Sequence, residues 1–248
     1  GYLLYLYFSL SRRSSFLTSI PIGCVHVPGL PIGAHHGAVE AGEAPRCVHR
    51  GRGTAARVLW CDAEAVRAGV RRGQTLAAAR ARVGSLRSRL LDERARAHAR
   101  REGVAALLEV SPRIGAGHDG HPTTAGRFWA EPPRGRTPWG KSAQPRPDSS
   151  REHARSWAPD ARELLEGWID EARAMVPAHL GTASVAIGPT ATVAWAAALG
   201  AEASLVPPDA ARRFLDASPL EVLELPADQL LDLRALGIRD VAALRALD

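Results

Sequence analysis

The chain has 248 residues, 46% hydrophobic and 23% charged, with a formal net charge of +6. That is enough apolar material for one large domain or two small ones, and it excludes a disordered chain. Three cysteines without framework spacing exclude a disulfide-stapled secreted scaffold and favour a reducing cytoplasm.

Residues 1–23 read as an N-terminal extension. Its apolar run Tyr2–Leu10 has no positive charge before it and too few residues to span a bilayer. Cys24–Val27 is a short β-branched run ended by Pro28, and Arg57–Trp60 is another. Asp62 can cap a short helix over Ala63–Ala68, with Gly69 as its stop. A turn holding Arg71 and Arg72 follows, and Thr75 starts the next helix, with Leu76, Ala79 and Val83 on one face. A longer helix is expected over Glu93–Glu109, its apolar side formed by Leu91, Ala95, Val104, Leu107 and Leu108, and Ser111-Pro112 closes it. Pro132–Pro159 is rich in Pro, Arg, Ser and Gly without any period, as in a linker or surface loop. Asp160 and Glu163 have capping-box spacing ahead of a strongly amphipathic helix reaching Val176. A strand over Ala183–Ile187, a helix over Thr190–Leu199 stopped by Gly200, and a short strand over Ser204–Val206 complete an α+β or α/β pattern, helices packed on one small sheet. The tail, Leu225–Asp248, reads as two short helices joined at Leu236-Gly237-Ile238, with Asp240 as the second N-cap. Such a helix-hairpin-helix can turn backbone N–H groups toward a phosphate, and a plain helical hairpin is the alternative.

The positive charge is regional. Arginines outnumber acids from Arg46 to Arg101, and acids outnumber arginines from Asp160 to Asp248. A polyanionic partner is one reading and arginine-rich codon bias the other, since Lys141 is the sole lysine. Cys24-Val25-His26 and Cys47-Val48-His49 could gather zinc ligands if their strands were neighbours, but the usual structural-zinc spacings are absent, and core cysteines are the commoner outcome. His35 and His36 read as surface loop residues. Gly115 and Gly117 lack the strand-to-helix context of a phosphate loop, and Asp119 and Glu131 read as isolated acids.

The order of the segments "RVLWCDAEAVRAGVRRGQTLAAARA", "LLEVSPRI", "GRFWAE", "SVAIGPTATVAWAAALG" and "LELPADQLLDLRALGIRDVAALRAL" resembles Y-family DNA polymerases, in particular their ImuB-like branch of bacterial mutagenesis accessory proteins. The resemblance implies an α+β palm over 24–206, a ferredoxin-like sheet with helices on one side. It also implies a small fingers insertion at about 57–90, the linker at 132–159, and the start of a helix-hairpin-helix thumb at 207–248, the chain ending before the DNA-gripping domain. Active members of the family place an aspartate where this chain has His26 and an Asp-Glu pair where it has Gly126 and Arg127. These carboxylates hold the magnesium ions of nucleotidyl transfer. The nucleotide-contacting tyrosine and arginine of the fingers would match Ala63 and Val66, and the two lysines of the last palm helix Ala191 and Trp195.

The resemblance therefore implies a protein without polymerase activity, cofactor or metal. It would bind damaged or primed DNA through Arg71, Arg72, Gly237, Ile238 and Arg239. It would work in SOS-type, damage-induced mutagenesis with other translesion proteins, the sliding clamp among them, and with no membrane. Gly69 and Gly73 would serve the fingers turn, while Arg71 and Arg72 either meet phosphate or remain solvated. The rivals are a magnesium-dependent translesion polymerase using His26, Asp119 and Glu131, and a palm-fold interaction domain that does not bind DNA.

Overall fold

The structure is a computed structural model that describes residues 21–38, 44–116, 125–132, 159–200 and 204–247. A four-stranded antiparallel sheet is built from β1 (Ile22–His26), β5 (Ile114–Ala116), β6 (Arg127–Ala130) and β7 (Ser184–Gly188), in the order β5-β6-β1-β7. A three-stranded sheet, in the order β3-β2-β4, comes from β2 (Arg46–Arg50), β3 (Arg57–Cys61) and β4 (Arg87–Leu90). In it β2 runs antiparallel to β3 and parallel to β4. The helices are α1 (Leu30–His36), α2 (Ala63–Arg67), α3 (Leu76–Arg82), α4 (Glu93–Leu108), α5 (Pro159–Met175), α6 (Ala191–Gly200), α7 (Ala211–Asp216), α8 (Ala227–Ala235) and α9 (Val241–Arg245). No helix among the described residues is long and apolar enough to cross a membrane.

Alternation along the strands decides what each face of the larger sheet meets. Val25, Phe128, Ala130, Val185 and Ile187 point to one face, where Leu107 of α4 and Leu165, Trp168 and Ile169 of α5 cover them. The two long helices thus share one side. Cys24 and Ala186 point to the other face, which α6 covers with Val193, Ala194 and Trp195. The amphipathic pattern of α4 differs from the expected one. Ala99, Gly103 and Leu107 are buried, whereas Leu108 is 50% exposed. Gly103 holds the inner stripe because a Cβ there would collide with the Phe128 ring.

The smaller sheet has its own core of Cys47, Val58, Ala65, Val70, Leu76, Ala79 and Leu86. It starts at Arg46, eleven residues before the expected boundary, because β2 is its central strand. Asp62 accepts from the Ala65 N–H at 2.7 Å and Thr75 from the Ala78 N–H at 3.1 Å, so both expected N-caps form. The glycine-flanked turn between these helices is structural. Gly69 and Gly73 take positive φ, and Gly73 N–H donates to the Val58 carbonyl at 2.8 Å, pinning the turn to β3.

Several other readings change. Ile22 and Gly23 belong to β1 rather than to an extension, and residues 1–20 lie outside the described residues. His35 and His36 are not loop residues, because Pro31 at the first turn opens α1 around them. His35 donates from Nδ1 to the Pro31 carbonyl at 2.7 Å and accepts the Asp92 N–H on Nε2 at 2.8 Å. His36 Nε2 donates to the Cys47 carbonyl at 3.0 Å. Gly115 lies within β5, while Gly117, Asp119 and most of the Pro/Arg-rich run lie outside the described residues.

Candidate functional site

His26 ends β1 and stands opposite Arg127 of β6 on one side and Ser184 of β7 on the other. Both side chains point toward α6. The buried Trp195 ring meets His26 edge-on at 5.0 Å and 79°. The Arg127 guanidinium lies 4.8 Å from the Trp195 centroid and 5.1 Å from that of Trp129, between two aromatic faces. Its Nη1 donates to Glu224 Oε1, and its Nη2 to Oε2 at 3.4 Å, a two-pronged ion pair. Glu224, with φ of 53°, is the one non-glycine residue in the left-handed region among the described residues. It closes the short 3₁₀ turn Leu220–Leu223, which carries its carboxylate onto the sheet. Arg127 Nε and Trp195 Nε1 are both buried without an acceptor. Beside them the Cys24 thiol is pushed up to about 12 by burial, an effect the Arg127 charge only partly opposes.

Gly126 precedes Arg127 with φ of 87°, and a Cβ there would sit far inside van der Waals contact with the Val27 carbonyl. This backbone leaves no room for a carboxylate at that position. Magnesium needs several oxygen donors in near-octahedral array. The strands offer an imidazole, a hydrogen and a guanidinium, and the Glu224 carboxylate beside them is engaged by Arg127. These residues do not fit the ion. Nor do the two Cys-Val-His runs form a zinc site, since β1 and β2 lie in different sheets. No group of three or more metal-ligating side chains gathers among the described residues. Glu131 does not join His26 either. It lies beyond the far end of β6, its carboxylate 3.6 Å from Arg113, four residues and about 13 Å along the strand from Arg127.

A cleft of about 520 Å³ separates the two sheets, with His26 and Pro28 on one wall and Trp60, Arg71 and Arg72 on the other. Arg71 donates to the Val66 carbonyl at 3.0 Å, which steadies it at the cleft edge. Ala63 and Val66 lie exposed on α2, Ala191 is half-buried, and Trp195 is 2% exposed. The C-terminal tail forms the two short helices α8 and α9, joined through residues 236–240. Gly237 N–H donates to the Arg234 carbonyl and Ile238 N–H to that of Leu233, both at 3.0 Å, closing α8 upon itself. The Ile238 side chain is buried. Neither N–H is therefore offered to a phosphate, and of the three hairpin residues Arg239 alone presents a donor-rich side chain, beside Arg234 and Glu221 at a second cleft of about 660 Å³.

Trp129 and Glu224 were not legible as members of this site. The available signal was a lone arginine in the apolar strand "RFWA", which demands a counter-charge but cannot say where, and the partner lies 97 positions away.

No family profile and no curated protein sequence matches the chain. Solved structures do. DinB from Sulfolobus solfataricus is 15% identical with a TM-score of 0.57, over 89% of this chain and 58% of that one. An insertion ternary complex of Dbh DNA polymerase is 14% identical with a TM-score of 0.59, over 89% and 58%. A Y-family DNA polymerase chimera of Dbh and Dpo4 is 13% identical with a TM-score of 0.60, over 92% and 61%. The chain thus spans about three-fifths of the length of these structures, and its fold is the α+β fold of the Y-family DNA polymerase palm.

Proposed function

We propose that this chain is a non-catalytic, Y-family-polymerase-like DNA-binding protein that acts as an adaptor in translesion synthesis and damage-induced mutagenesis. The observation that carries the reading is Arg127, held between two tryptophans and paired to Glu224 opposite His26, where the resembling enzymes gather carboxylates. A guanidinium there, already paired with Glu224, supplies no oxygen donor to a divalent cation. The basic wall of the inter-sheet cleft, Arg71 and Arg72, would hold the DNA backbone, and Arg239 would add a second phosphate contact. Other translesion proteins, and the sliding clamp, would be the partners such an adaptor brings together.

Two measurements test the two halves of the proposal. Primer extension with magnesium and with manganese is expected to yield no product, and template-directed extension would overturn the non-catalytic half. Anisotropy of labelled primed DNA across a salt series is expected to show binding that weakens linearly with log salt. Arg71→Ala and Arg72→Ala should each lower the slope by about 1. Absence of binding at low salt would favour a palm-fold interaction domain instead.

A further inference from the structure

We propose that Cys47 and Cys61 form a redox-responsive pair that closes into an intramolecular disulfide when the protein meets hydrogen peroxide. The two residues face each other directly across the antiparallel β2–β3 ladder. The hydrogen bonds identify which kind of cross-strand pair this is. Pro45 and His49 give their carbonyls to Arg87 and Leu91, on the β4 side of β2, while Arg46 gives its carbonyl to Asp62, on the β3 side. Odd-numbered residues of β2 therefore turn their backbone groups to β4 and even-numbered ones to β3. Cys47 and Cys61 make up a non-hydrogen-bonded pair, the class in which side chains approach most closely, with Cα atoms about 4.5 Å apart. That spacing lies at the short end of the range a disulfide spans, and opposed residues of antiparallel strands project to the same face. Both sulfurs are thiols in this structure, and no third metal-ligating side chain joins them among the described residues.

The two thiols differ in access, which orders the chemistry. Cys47 is fully buried, whereas Cys61 is half-exposed and lines the inter-sheet cleft near Arg72. The Cys61 sulfur attacks one peroxide oxygen, the O–O bond breaks, and water leaves, giving a sulfenic acid. The Cys47 sulfur then attacks the Cys61 sulfur, the S–O bond breaks, and a second water carries off the remaining proton. Two thiols lose two electrons and two protons, and one peroxide becomes two waters. Burial raises both thiols, Cys47 to about 11, so the resting pair is protonated and its reaction with peroxide is slow, since the thiolate is the attacking form. The Arg72 charge beside Cys61 opposes that rise and favours Cys61 as the first sulfur to react. Closure would fix the end of β3, from which Asp62 caps α2 and the chain passes to the Arg71–Arg72 turn.

The test is peptide mapping of the intact chain. The protein is treated with hydrogen peroxide, its remaining thiols are blocked with iodoacetamide under denaturing conditions, and it is digested with trypsin without reduction. Cleavage after Arg46, Arg50, Arg57 and Arg67 places Cys47 in the peptide 47–50 and Cys61 in 58–67. The expected result is these two peptides joined, with the loss of two hydrogen atoms, Cys24 alkylated, and the link removed by dithiothreitol. Cys24→Ser should leave the link intact and Cys61→Ser should abolish it, and Cys61→Ser carries the test if Cys47→Ser fails to fold. Both peptides recovered singly, a Cys61 sulfinic acid without a link, a bond to Cys24, or a link only between two molecules would each overturn the proposal.

Discussion

Removing the Glu224 carboxylate tests whether the buried guanidinium needs it. The Arg127 side chain is 8% exposed and that of Glu224 31% exposed. Breaking a buried pair by deleting one partner costs about 3–5 kcal/mol, because the other charge is left without compensation. Two features reduce that cost here. Water reaches Glu224, and Trp129 and Trp195 still hold the cation, each aromatic face contributing about 0.5–2 kcal/mol. Glu224→Ala should therefore destabilise by about 2–3 kcal/mol. At about 2–4 °C per kcal/mol for a chain of this size, the melting temperature should fall by about 4–12 °C in a circular-dichroism melt. The double variant Arg127→Met with Glu224→Gln removes both charges at similar volume and should return to within about 1 kcal/mol of the parent. A Glu224→Ala melt indistinguishable from the parent, or a double variant weaker than the single, would refute the argument.

Gly126→Ala puts a Cβ against the Val27 carbonyl at a positive φ and should cost about 2–4 kcal/mol or abolish soluble expression, read from urea unfolding midpoints. Burial holds His36 below the usual imidazole range, with Arg46, Arg89 and His35 acting in the same direction, and His49 is lowered by burial as well. The unfolded chain then binds these protons more readily than the folded one. Stability should be full above the unfolded value of about 6.5 and decline as pH falls through the lower folded values. His36→Gln, whose amide can donate to the same Cys47 carbonyl, should flatten part of the decline in urea midpoints between pH 7.5 and 5, and an unchanged slope would refute the assignment.

What could be read from the sequence follows from which forces are local. Asp62, Thr75 and Asp240 cap helices within three residues of themselves, and all three caps form where the spacing places them. The helix over Pro159–Met175 shows its apolar stripe directly. The strands β4 and β5 escaped because "RSRL" and "IGA" carry no alternation of their own and exist only by pairing with β2 and β6. α1 escaped because a proline, a glycine and two histidines in seven residues make a poor helix on propensity. Packing against α4 and the smaller sheet supports it instead. At the candidate site His26 and Arg127 could be aligned from segment order, whereas the tryptophan faces and Glu224 come together only through tertiary structure.

The interlocking of His26, Arg127, Trp195 and Glu224 makes a carboxylate cluster hard to reach here one substitution at a time. An aspartate placed at position 26 would face the guanidinium across the ladder and compete with Glu224 for it instead of chelating an ion. Removing the arginine alone would strand Glu224 and open a hollow between two indoles. Only a concerted change of strand, helix and 3₁₀ turn would build a chelating pocket at this end of the sheet.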